Sequence, residues 1–271
     1  WDDPRMPTLT GLRNRGVPAE ALKNFCEEIG VAKANSEIEI SYFEHFIRDY
    51  LNLHAERAMA VENPLKITLT NYEKGSETLE FDINPNDESA GKRPVSFSKN
   101  LYIEREDFSL NPPPKYFRLK PDGYVRLKNA YIIKCDDVIL NDDGSVKELL
   151  CSYVPESHSG EDTSGIKCKG TIHWVNCADS KEVSVNLYDR LFLVENPSDE
   201  SSVESFTENI NPESIVKLEG CRIDATIADA KPYDSFQFMR QGYFCVDKES
   251  TPENMVFNRT VALKDSFAKK K

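Results

Sequence analysis

The residues with the greatest chemical capacity lie between Lys115 and Lys134. There, in KYFRLKPDGYVRLKNAYIIK, six Lys or Arg side chains stand against one acid and rings are threaded between the cations. The chain as a whole carries a formal charge of −12. Positive charge and stacking surface concentrated in one stretch of an acidic protein predict a grip on a polyanion, with nucleic acid the foremost candidate. In a strand, the two-residue period puts Tyr124, Arg126 and Lys128 on one face and Val125 and Leu127 on the other. Tyr116, Arg118 and Lys120 share a face in the same way, so 115–134 reads as a hairpin that presents cations and rings together. An arginine fork makes two hydrogen bonds to guanine and can also stack, whereas lysine delivers mainly charge. An ordinary solvated strand face has the same composition, so composition alone leaves both readings open.

A second constellation is FQFMRQGYF, residues 236–244. Gln237 and Arg240 carry groups that pair with base edges, while Phe236, Phe238, Tyr243 and Phe244 fit a core better than a stacking site. Catalytic patterns are weak by comparison. The histidines, His45, His54, His158 and His173, are not at metal-ligand spacing. No phosphate-cradling glycine loop and no nucleophile elbow occurs, and the acidic pairs Asp136-Asp137 and Asp142-Asp143 read as strand-edge and turn solvation. No catalytic, cofactor-binding or metal-binding residue is therefore expected in this chain. The seven cysteines are scattered without paired short spacing and read as reduced structural thiols. Asn258-Arg259-Thr260 matches a glycosylation acceptor but carries little weight without a secretory signal.

The elements that must position these residues follow from periodicity. The opening sixty or so residues read as helical: Pro18 suits a first turn, Leu22, Phe25, Cys26 and Ile29 recur at helical spacing, and Gly30 offers a stop. A second helix is predicted from Ser41, with Glu44 completing a capping box and Phe43, Phe46, Ile47, Tyr50 and Leu51 forming its apolar stripe. After Asn63-Pro64 the period becomes alternating. Segments 65–72, 79–83, 95–104, 124–134, 146–154 and 171–175 read as strands separated by turn signals such as Asp143-Gly144, which predicts sandwich or barrel architecture. Two acidic stretches, 155–165 and 195–214, read as solvated loops and hold much of the negative charge, so the net charge is no argument against RNA. At 271 residues the chain has room for two or three domains. It shows no membrane-length apolar run and no signal peptide, from which a cytoplasmic setting is expected, and its first residue, Trp1, suggests a piece of a longer chain.

Several runs together resemble the C-terminal half of glutaminyl-tRNA synthetases, class I aminoacyl-tRNA synthetases. They are WDDPRMPTLTGLRNRG (1–16), HAERAMAVENPLKITLTNY (54–72), VRLKNAYIIK (125–134), GTIHWV (170–175), LYDRLF (187–192), FQFMRQGYFCVD (236–247) and FNRTVALKDSFAK (257–269). The resemblance implies a mostly β fold with an N-terminal helical segment and two β-barrels, similar to one ribosomal-protein barrel, that exchange their N-terminal strands. It further implies a helical segment at 1–62 facing the inner corner of the tRNA, a proximal barrel from 63–94 and 186–271, and a distal barrel from 95–185. By the same resemblance Arg57, Gln237 and Arg240 surround the central anticodon base, Arg118 reads the third base, a guanine, and Arg126 and Lys128 lie around the first. Lys33 matches a lysine near the RNA backbone, and Lys115, Phe117 and Asn129 are further contacts. Lys128 stands where well-known bacterial members have arginine, and Lys115 and Phe117 stand where they have glutamine and lysine.

The partners implied are glutamine tRNA and an N-terminal catalytic domain of the same chain, not DNA and not a membrane. In the family, WDDPRMPTL follows a mobile loop that helps activate the amino acid. That loop and the upstream nucleotide-binding signature do not occur in this chain, so the fragment is expected to bind tRNA without catalysis, with ATP and magnesium needed only by the full-length ligase. Two other readings stay open: the equivalent region of an archaeal or eukaryotic-type glutamyl-tRNA synthetase, and a β-barrel module that docks proteins through its acidic loops. A hydrolase built on surface carboxylates lacks any paired acid in a recognisable setting.

Overall fold

The structure, a computed structural model, describes residues 1–33, 37–197 and 205–264. The end of the 257–269 run and residues 198–204 of the second acidic stretch lie outside the described residues. The protein is mostly β, with three N-terminal helices and two barrel-like mixed sheets, one nearly closed and one a half-barrel.

The helices are α1 (Leu9–Arg15), α2 (Ala19–Ile29) and α3 (Ile40–His54). The strands are β1 (Glu56–Ala58), β2 (Ala60–Val61), β3 (Pro64–Leu69), β4 (Ser76–Asp82), β5 (Lys92–Ser98), β6 (Asn100–Glu104), β7 (Tyr124–Leu127) and β8 (Ile132–Leu140). They continue with β9 (Val146–Val154), β10 (Thr171–Ile172), β11 (Val175–Asn176), β12 (Lys181–Tyr188), β13 (Ile215–Ile223), β14 (Ser235–Phe238), β15 (Gly242–Val246) and β16 (Val256–Ala262). The chain forms two compact units, one of Trp1–Arg57, Ser184–Glu219 and Ala230–Lys271, the other of Ala58–Val183 and Gly220–Asp229.

In the first unit the strand order is β1-β14-β15-β16-β12-β13. The helices pack on it through Ala21, Ile47, Leu51 and Ala55, which meet Tyr243 and Val261. Ile47 and Leu51 are each 2% exposed, so each contributes ~1.5–3 kcal/mol through burial. Phe25 lies 4.9 Å from Phe43 and 5.8 Å from Phe46, joining α2 to α3 with the stripe that periodicity predicted. Helix α1 has its own punctuation: the Thr8 hydroxyl accepts from the Gly11 amide, and Gly16 ends the helix at φ +91°. A Cβ on Gly16 would also lie 2.2 Å from Cys245 Cβ, so glycine is required there twice over.

The predicted capping box at the start of α3 does not form. The N-cap is Glu39, which makes no side-chain cap bond. Glu44 instead accepts from Arg190 Nη1 at 2.7 Å and Arg48 Nη2 at 2.9 Å. Two guanidinium partners hold a carboxylate more strongly than one backbone N–H.

In the second unit the order is β10-β7-β8-β9-β3-β6-β11. Its two edge strands are separated in the chain only by His173 and Trp174, which brings the sheet close to closure. Trp174 is fully buried and meets Phe97 edge-on at 5.0 Å. Strands β4 and β5 form a separate two-stranded ribbon, and β2 pairs with the end of β13 through Val61 and Arg222. The predicted strand 95–104 divides into β5 and β6, and 171–175 into β10 and β11.

The region 115–134 departs from the single hairpin expected of it. The hairpin is β7–β8, and 115–120 is irregular chain, pinned by bridges between Phe108 and Leu119 and between Pro121 and Cys135. Three consecutive prolines, Pro112 to Pro114, remove the donors a ladder needs.

The described cysteines form no disulfide, and burial holds the Cys221 and Cys245 thiols up at about 12. Cys26 is exposed. Among the described residues no helix is long and apolar enough to cross a membrane.

Candidate nucleic-acid interface

The second unit brings six of the sequence-predicted residues onto two adjoining segments. In β7 the burial alternates as the period requires: Val125 and Leu127 are fully buried, Tyr124 is exposed and Arg126 is half-buried. β7 pairs antiparallel with β8, Arg126 opposite Ile132, and parallel with β10, Arg126 beside Thr171. The chain then turns through Lys128 and Asn129, closed by the Ala130 amide on the Leu127 carbonyl at 3.0 Å. Asn129 takes φ +52° there. Lys128 is held by its backbone, which donates to the Ile172 carbonyl and accepts from the Trp174 indole at 2.9 Å.

Arg126 is not idle. Its Nη1 donates to the Ser157 carbonyl at 2.7 Å and its Nη2 meets the Asp162 carboxylate. Asp162 belongs to the acidic stretch 155–165, which was expected to be a solvated loop. The stretch folds back because the buried Ser157 hydroxyl accepts from the Ile132 amide at 2.7 Å and donates to the Val154 carbonyl at 2.7 Å. The hydroxyl and amide of Ser164, joined by Arg126, hold the Asp162 carboxyl below its ordinary value.

Arg118 sits in the irregular segment. Its Nε approaches the buried Asp107 carboxylate at 3.2 Å and its Nη1 donates to the Glu106 carbonyl at 3.1 Å, while the side chain stays 47% exposed. The segment is tied down by the Leu119 amide, which donates to the Asp107 carbonyl at 2.9 Å, and by the buried Leu119 side chain. Upstream, the Tyr116 amide donates to the Pro113 carbonyl, closing a turn with Pro114 second and Lys115 third at φ +64°. A type II turn asks for glycine at that third position, so Lys115 is held in a conformation that costs ~1–2 kcal/mol. Lys115 and Phe117 are exposed.

The first unit holds the remaining residues. Gln237 lies on β14, next to β1 with Arg57 and opposite Tyr243 on β15. Phe236 and Phe238 point to the core, as their composition suggested, and Phe238 stacks on Phe244 at 4.3 Å. Arg57 is only 7% exposed. Its Nη1 donates to the Ala55 carbonyl at 2.7 Å, and its Nη2 donates to the Asn52 carbonyl at 2.8 Å and side-chain oxygen at 2.9 Å. The Tyr243 hydroxyl reaches the same Asn52 oxygen at 3.4 Å. Burial draws the Arg57 guanidinium below its ordinary value. Gln237 Oε1 is buried with no hydrogen-bond partner. Arg240 is exposed at the tip of the β14–β15 hairpin, with φ +71°. Lys33 is exposed in the bend that follows α2.

Sequence reasoning missed the residues that hold these groups in place. Asp107 and Asn52 have no spacing signal linking them to Arg118 or Arg57. Lys169, whose Nζ lies 5.2 Å from the Phe117 ring centroid, was findable only as one cation of the short run Lys167-Cys168-Lys169. Among the described residues no group of three or more His, Cys, Asp or Glu is placed to hold a metal ion.

Residues 55–154 match the family described as tRNA synthetases class I (E and Q), anti-codon binding domain, and residues 171–247 match a second family of the same description. A glutamine–tRNA ligase from Clostridium perfringens is 52% identical over 269 residues, 98% of this chain and 48% of the relative. One from Rhodopirellula baltica is 50% identical over 270 residues, 99% of this chain and 45% of the relative. The chain belongs to the anticodon-binding part of the glutaminyl-tRNA synthetase family. It spans about half the length of the curated relatives it matches. The two matched ranges of this family contain Arg57, Arg118, Arg126, Lys128 and Asn129 in one and Gln237 and Arg240 in the other; Lys33 falls outside both.

Proposed function

We propose that this chain grips the anticodon loop of glutamine tRNA, so that a full-length cytoplasmic ligase attaches glutamine to that tRNA with ATP and magnesium at a catalytic domain outside this chain. The helical segment faces the inner corner of the tRNA, with Lys33 near its backbone. Arg57, Gln237 and Arg240 serve the central anticodon base, Arg126 and Lys128 lie around the first, and Asn129 is a further contact.

The observation that carries the reading is the posture of Arg118. Asp107 and the Glu106 carbonyl anchor one edge of its guanidinium from below, while the side chain remains half-exposed above. Five N–H donors in a fixed fork leave three for a ligand, and a fork held in one plane matches the paired O6 and N7 acceptors of guanine. A guanine as third anticodon base is what glutamine tRNAs present, and glutamate tRNAs present cytosine there.

Discrimination follows from desolvation. A base that leaves the buried donors and acceptors of the site unpaired forfeits ~1–3 kcal/mol per contact. The test is a nuclease footprint of full-length glutamine tRNA on this chain, together with binding constants for glutamine and glutamate tRNA transcripts. Protection of the anticodon loop with preference for glutamine tRNA is expected. Preference for glutamate tRNA would move the chain to the glutamyl branch of the family, and tight protein partners with indifference to RNA would make it a protein-docking barrel.

A further inference from the structure

Phe117 is a large ring left 51% exposed, flanked in the chain by the cations Lys115, Arg118 and Lys120 and approached in space by Lys169. Lys169 Nζ sits 5.2 Å from its centroid, within the range of a cation–π contact, and so covers part of the ring. The remaining exposed surface meets solvent. An apolar partner gains nothing from that collar of charge, whereas a flat group carrying an anion gains from both the ring and the cations.

The backbone that carries the ring is also held in place before any ligand arrives. A Cβ on Gly170 would lie 1.7 Å from the Phe117 carbonyl oxygen, so only glycine lets the two backbones approach this closely. Gly170 in turn accepts from the Arg126 amide at 3.0 Å, which ties the Phe117 backbone to β7. The turn closed between Pro113 and Tyr116 fixes one side of Phe117, and the Leu119–Asp107 bond with the buried Leu119 fixes the other. A ring whose backbone is already immobilised loses little freedom on binding.

We propose that Phe117, backed by Lys169, is a stacking platform for one unstacked nucleobase of the RNA loop, adjacent in the strand to the base that Arg118 meets. This rests on the reading that this surface holds an anticodon loop, and it adds a contact outside the three base pockets. Stacking uses the π-face that every base has, so the platform is indifferent to base identity. Arg118 supplies the selectivity and Phe117 the affinity, from consecutive residues.

The experiment uses anticodon stem-loop RNAs of glutamine tRNA, each with 2-aminopurine at one loop position, titrated with the parent chain, Phe117→Leu, Phe117→Trp and Lys169→Gln. One position should be quenched by the parent and by Phe117→Trp and not by Phe117→Leu. Phe117→Leu should weaken binding about 5- to 150-fold, by the same factor whichever base occupies that position. Lys169→Gln should keep the quenching and bind more weakly at low salt. Unchanged affinity and quenching in Phe117→Leu, with RNA still bound by all four proteins, would overturn the platform alone. Failure of the parent to bind any of the RNAs would overturn the platform together with the reading beneath it.

Discussion

Replacing Gln237 by Met separates stability from recognition, because the two should move in opposite directions. In the free protein Gln237 Oε1 is buried without a partner, and a bare buried acceptor costs ~1–3 kcal/mol. Methionine has the same unbranched length without the acceptor and adapts to the space the amide leaves. Gln237→Met should therefore raise the unfolding free energy by ~1 kcal/mol, the lower end of that range. For a protein of this size that is a rise in Tm of ~2–4 °C. In complex with RNA the account reverses. If a base N–H satisfies Oε1, the variant loses that bond and Kd should rise by a factor of about 5 to 10, with the loss confined to RNAs carrying the correct central anticodon base. Thermal melts and fluorescence anisotropy on stem-loops with each of the four central bases measure both effects. A variant that is less stable than the parent, or that binds RNA with the parent's affinity and central-base preference, would refute the reasoning, since either result means the amide oxygen is not a vacant acceptor awaiting a base.

Three further outcomes are expected. Arg118→Lys keeps the charge but loses the planar fork, so the preference for guanine over cytosine at the third anticodon base should fall by ~1–3 kcal/mol with the salt dependence unchanged; retained preference in competition binding would remove Arg118 from base readout. Asp162→Asn releases Arg126 from its internal carboxylate and should tighten stem-loop binding, and unchanged or weaker binding would show that Arg126 does not have to leave Asp162. Because the Asp162 carboxyl is held below its ordinary 3.8, the pair is complete above that value and is lost only as pH falls through the lower folded value. Parent affinity should thus show no step from this pair over roughly pH 5–8. Glu44→Gln leaves Arg48 and Arg190 without the carboxylate they share at 2.9 and 2.7 Å in a mostly buried setting, and should destabilise the protein by ~3–5 kcal/mol in urea unfolding; a loss below ~1 kcal/mol would mean the network is dispensable.

What the sequence by itself determined is whatever depends on neighbours a few residues apart. The alternation of Val125 and Leu127 with Tyr124 and Arg126, the turn at Asp143-Gly144 and the apolar stripe of α3 are local patterns, and the backbone obeys them because side-chain direction repeats every 2 or 3.6 residues. The change from helix to strand comes earlier than the period after Pro64 predicts: the chain is helical only to His54, and the short strands β1 and β2 at 56–61 exist because they pair with β14 and β13, far along the chain. Composition also separated the cations of 115–134 from the acidic stretches. It could not see that Asp162 leaves one of those stretches to sit on Arg126, 36 residues away in sequence. Nor could the capping pattern at Ser41 reveal that Glu44 would be taken by Arg190, 146 residues on. The anchoring of Arg118 by Asp107, the burial of Arg57 against Asn52, the unpartnered oxygen of Gln237 and the lysine over Phe117 were decided only when the sheets formed. Ion pairs, desolvation and ring contacts act over a few ångströms of space, and which residues share that space is set by the tertiary path of the chain.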